Sequence, residues 1–107
     1  MASLQDADPI YVKMQAYMNK GMPEESVKLV SECLNDNPKD WIALFMFAQA
    51  MNQSGRPGVA YNLYQQVVHY AKDCPEAWNN LGGTLKDLHW LDEARRHFNK
   101  SLKLDPL

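Results

Sequence analysis

The chain has 107 residues, of which 46% are hydrophobic and 22% charged, with a formal net charge of -2. This is the balance of one small globular domain, too apolar for a disordered chain and without the clustered basic face that nucleic acid requires. No apolar run reaches the roughly 18 residues of a spanning helix, and no Lys/Arg-rich amphipathic stretch suits an anionic membrane.

The N-terminal Met1-Ala2-Ser3-Leu4-Gln5-Asp6 lacks the basic region and apolar core of a signal peptide, so a cytoplasmic, soluble protein is expected. Six helices are predicted in chain order, over 8–20, 23–36, 39–53, 57–72, 75–88 and 91–104. Asn19-Lys20-Gly21-Met22-Pro23 and Gln53-Ser54-Gly55-Arg56-Pro57 each place Gly at a helix end and Pro at the next start. Gly takes the left-handed conformation that helix ends favour, and Pro suits a first turn whose N–H has no intrahelical partner. Asn37-Pro38 and Cys74-Pro75 break the chain in the same way. In the last pair, Trp78, Leu81, Leu85 and Leu88 form one apolar stripe at helical spacing; Leu91, Ala94, Phe98 and Leu102 form another. No stretch alternates with the period of a strand, so the fold is expected to be all-α.

The helices form a repeat. A shift of 34 residues aligns Gly21 with Gly55, Pro23 with Pro57, and Ser26 with Ala60 and Ala94. It also aligns Val30 with Tyr64 and Phe98, and Ile10 with Leu44 and Trp78. One domain of three repeats follows, 7–40, 41–74 and 75–107.

A helix–turn–helix repeat of this period resembles the tetratricopeptide repeat family. The third repeat carries the pattern most fully: Trp78-x-x-Leu81-Gly82, then Ala94-x3-Phe98 and Pro106. Gly82 and Ala94 are expected where paired helices approach closely, with Trp78, Leu81 and Phe98 filling the space between. The second repeat is looser, with Leu44, Phe47 and Ala48 in place of W-L-G. Lys72 stands where proline is usual, so the fourth helix is expected to run on towards Pro75. The first repeat departs furthest. Lys13 and Met14 replace Leu-Gly and Ser26 replaces Ala, so its first helix is expected to pack less closely, as a cap.

The resemblance implies a right-handed α-solenoid whose first helices line a concave groove, and a function as a protein–protein interaction scaffold. Partners would be protein or peptide segments, extended or helical, with no nucleic acid, membrane, cofactor or catalytic residues. It places Asp8, Tyr11, Gln15, Met18 and Asn19 on the groove, then Ile42, Phe45, Gln49, Asn52 and Gln53, then Glu76, Asn79, Gly83, Lys86 and Asp87. Amides can donate to and accept from a peptide backbone, and Tyr11, Met18, Ile42 and Phe45 would supply apolar anchors. Chaperone-binding members clamp a C-terminal carboxylate with Lys, Arg and Asn. Here Lys86 is the one basic residue placed on the groove, while Tyr11, Gln15 and Glu76 hold other clamp positions. The Asn ladder of the sugar transferases is reduced to Asn80, with Val12 and Met46 at the matching places.

Other constellations carry less. His69, His89 and His97 have no compact metal-ligand spacing, and no Ser, Cys or Thr sits in a nucleophile motif. Cys33 and Cys74 form no zinc pattern and read as reduced, half-buried thiols. Arg95, Arg96, Lys100 and Lys103 read as a solvated face. No polar-faced helix follows Leu107, so Leu91, Leu102, Leu104 and Leu107 are expected to form an open edge. Either the native chain continues, or a second copy covers that edge in a homo-oligomer. The rival readings are a self-assembly module and the repeat portion of a larger enzyme, such as a repeat-bearing glycosyltransferase.

Overall fold

The computed structural model describes residues 9–106. Asp8, expected on the groove, and Leu107, expected at the open edge, lie outside the described residues. The described chain is a succession of helices: α1 (Pro9–Asn19), α2 (Pro23–Asp36), α3 (Trp41–Gln53), α4 (Pro57–Tyr70), α5 (Pro75–Asp87) and α6 (Leu91–Leu104). Each packs on the next, and α1 also reaches α3, so three helical hairpins stack into an all-α solenoid.

The punctuation works as its chemistry requires. Pro23, Pro57 and Pro75 open α2, α4 and α5. Gly21 and Gly55 take the left-handed conformation, at φ 72° and 75°. In the third hairpin the same register holds His89, which adopts φ 66° without the freedom of glycine. Two boundaries differ from expectation by two residues, and the ends of α1 and α5 by one. α3 starts at Trp41, two residues later than 39, because the Asp40 carboxylate accepts the Ala43 N–H at 3.1 Å and caps the helix there. Asp40 also accepts the Tyr11 hydroxyl, which ties α1 to the start of α3. α4 stops at Tyr70 rather than running to 72, although no proline is present. The Lys72 carbonyl is taken by the Trp78 indole N–H at 2.8 Å, and the Ala71 N–H closes on Val67 O at 2.7 Å. A tertiary hydrogen bond thus holds the turn that proline would otherwise set.

The core runs through the middle of the stack. α3 has neighbours on several sides, and Ile42, Ala43, Leu44, Phe45, Met46, Ala48 and Ala50 are all buried. Phe45 meets Tyr64 edge to face, with ring centroids 5.8 Å apart. Side-chain volume is shared differently in each hairpin. At one register the first helices carry Met14, Ala48 and Gly82, all buried; opposite, the second helices carry Val30, Tyr64 and Phe98. The bulk passes from first helix to second along the chain. A Cβ on Gly82 would lie 2.9 Å from the Phe98 ring and 3.2 Å from Ala94 O, so Gly82 is where the backbones close up. In the first hairpin Met14 and Ser26 are fully buried, and the Ser26 hydroxyl has no partner among the described residues.

Candidate functional site

One face of α1, α3 and α5 lines an open groove of about 610 Å³. The 34-residue period sets its walls in columns: Gln15, Gln49 and Gly83 form one, and Asn19, Gln53 and Asp87 another. A third column holds Met18, Asn52 and Lys86, and Asn79 joins them from the start of α5. All of these were expected on the groove. The columns stay straight because each helix is pinned to the next by a side chain. Gln53 Nε2 donates to Met18 O at 2.8 Å, and Asn52 Nδ2 donates to Thr84 Oγ1 at 2.8 Å. Thr84 in turn donates to Asn80 O at 3.0 Å.

Four expected residues do not line the groove. Ile42 and Phe45 belong to the core, 8% and 3% exposed, because α3 is enclosed on the faces that α1 and α5 leave open. An outward-facing register on a terminal helix becomes an inward-facing one in the middle of the stack. Tyr11 is half-buried and turned to Asp40. Glu76 is exposed at the start of α5, where its carboxylate accepts the Cys74 thiol at 3.2 Å. Conversely, Tyr64, Asn80, Thr84 and Phe98 line the groove and were not expected there. Tyr64 and Phe98 come from second helices, so a rule that assigns the groove to first helices passes over them. Asn80 was visible as the one rung of an Asn ladder.

The described lining of the groove is nearly neutral: among the described residues Lys86 and Asp87 are the only charged ones that line it. Two of its acceptors are incomplete, since Gln49 Oε1 and Asn52 Oδ1 are buried with no partner among the described residues. Burial pushes the Tyr64 hydroxyl above its usual range, while hydrogen bonding to Asn80 and then Asn52 opposes the rise. The floor therefore stays uncharged at any physiological pH. Beside the groove, burial pushes the Cys74 thiol up to about 11; the Ala77 N–H opposes this and the Glu76 carboxylate reinforces it. Among the described residues no group of three or more His, Cys, Asp or Glu side chains is placed to hold a metal ion, and no helix is long and apolar enough to cross a membrane.

Residues 75–107 match the family model described as Tetratricopeptide repeat. No curated protein matches the sequence. Among solved structures, the first tetratricopeptide-repeat domain of human RPAP3 is similar at 20% identity and TM-score 0.84, over 91% of this chain and 76% of that one. The first such domain of Spaghetti (RPAP3), bound to the HSP90 peptide SRMEEVD, is similar at 20% identity and TM-score 0.84, over 98% of this chain and 83% of that one. MamA from Desulfovibrio magneticus RS-1 is similar at 15% identity and TM-score 0.81, over 91% of this chain; this chain spans 55% of its length.

Proposed function

We propose, starting from a chain that folds as a stack of tetratricopeptide-type repeats, that it is a protein-interaction scaffold whose groove holds a neutral partner segment in extended or helical form. The observation that carries this reading is the pair of buried amide oxygens, Gln49 Oε1 and Asn52 Oδ1, left without donors in a groove of amide columns. An unmade hydrogen bond of this kind costs about 1–3 kcal/mol, which a donor arriving on a ligand recovers. A peptide backbone presents N–H groups at regular intervals, and the amide columns offer acceptors and donors to match. No reaction step is required of any side chain, and the reading is of a non-catalytic protein.

The peptide held by Spaghetti carries two glutamates and an aspartate in SRMEEVD. Here Lys86 is the single cation on the groove among the described residues and Asp87 stands next to it, which favours a neutral ligand over that acidic one. Selection of random peptides on the immobilised chain tests this. Selected peptides should be uncharged near their centre and lose about tenfold in affinity to the Gln49→Ala/Asn79→Ala variant. Peptides that bind this variant as well as wild type would contradict the reading.

A second reading rests on α6. Leu91 and Leu102, three turns apart on that helix, are 58% and 55% exposed. An apolar stripe of this kind suits a second copy of the chain. A mass that doubles with concentration in light scattering, and does not in Leu91→Ser/Leu102→Ser, is its expected signature.

A further inference from the structure

A second groove, of about 430 Å³, shares no lining residue with the first. It lies between α4 and α6, with α5 as its floor. Its rim holds His69, Lys72, His97 and Lys100, and Trp78 and Leu81 form its base. Among the described residues no carboxylate lines it, although the whole chain carries a net charge of -2. Among the described residues neither Lys72 nor Lys100 has an ion-pair partner; the ion pairs there are Lys28–Glu25 and Arg96–Glu93.

The groove is also ordered by its own contacts. The Trp78 indole N–H is fixed on Lys72 O at 2.8 Å. His97 lies over the Trp78 ring with centroids 5.5 Å apart, and Lys100 Nζ sits 5.9 Å from the ring centre. His97 Nδ1 donates to Glu93 O at 2.7 Å, which leaves Nε2 for another partner. Lys100 thus stands over an aromatic base, and Lys72 lines the same groove.

We propose that this outer groove is a docking site for an acidic peptide segment of a partner protein. Charge complementarity selects the occupant: carboxylates would face Lys72 and Lys100, with the stem of the segment over Trp78 and Leu81. The site shares no lining residue with the neutral groove, which opens on another side of the same hairpins.

The probe is a fluorescein-labelled hexaglutamate peptide, with the hexaglutamine peptide as control, followed by polarisation on the full chain. Hexaglutamate should bind and hexaglutamine should not. Affinity should fall about tenfold in Lys72→Gln/Lys100→Gln, and remain unchanged in Lys86→Gln. It should also fall as salt rises from about 50 to about 200 mM. Amide resonances of residues 69, 72, 97 and 100 should shift on titration of the wild type, an assignment that does not depend on any variant folding. The proposal is overturned by no binding up to about 1 mM peptide. It is equally overturned by loss of binding in Lys86→Gln instead, by equal binding of hexaglutamine, or by a single-stranded oligothymidine that displaces the peptide at lower concentration than its own.

Discussion

His89 holds a left-handed backbone where Gly21 and Gly55 stand in the other hairpins. A non-glycine residue there costs about 1 kcal/mol, of which glycine returns part through its freer unfolded chain. His89→Gly should therefore raise Tm by about 2–4 °C in a thermal melt. Gly82 presents the opposite case. An added Cβ 2.9 Å from the Phe98 ring must displace it. Gly82→Ala should destabilise by about 1–3 kcal/mol, and Gly82→Ala/Phe98→Leu should recover part of that loss, as contacting residues do in a double-mutant cycle. At Cys74 burial raises the thiol pKa from 9.0 to about 11. The folded chain thus keeps a proton between those values that the unfolded chain releases, and binds more protons there. Stability from this group is present below pH 9 and is lost as pH rises from about 9 to about 11. Alkylation by iodoacetamide at pH 8 should be correspondingly slow in the folded protein and fast in urea, read by mass spectrometry.

The elements were legible because Gly and Pro punctuate them and the apolar stripes repeat at helical spacing. α2 and α6 have the boundaries expected from the sequence, Pro23–Asp36 and Leu91–Leu104. Where boundaries moved by two residues, one side chain intervened. Asp40 starts α3 by capping it, and Trp78 closes the turn after α4 from the next hairpin. Asp40→Ala should cost about 1–2 kcal/mol in urea melts, since the cap at Ala43 and the acceptor for Tyr11 are lost together. Asp40→Asn, which keeps an acceptor at the cap, should cost less.

Across the whole molecule, the 34-residue register set the groove columns before any coordinates, and Gln15, Gln49, Asn19 and Gln53 stand where the register puts them. It failed at Ile42 and Phe45 because position in the stack, not in the repeat, decides what covers a helix face. Tyr64 and Phe98 reach the groove from second helices, across the narrow spacing that small first-helix residues permit. The outer groove was not legible at all: His69, Lys72, His97 and Lys100 are scattered in sequence and meet only when α4 and α6 flank α5. The stack therefore offers two surfaces of different charge, a neutral inner one and a basic outer one. The central claim is that the inner groove is the working surface, and a map of amide shifts on adding a selected neutral peptide tests it most directly. Shifts concentrated on residues 15, 18, 49, 52, 79 and 86 are the predicted result. Shifts confined to α6, or to residues 69, 72, 97 and 100, would contradict it.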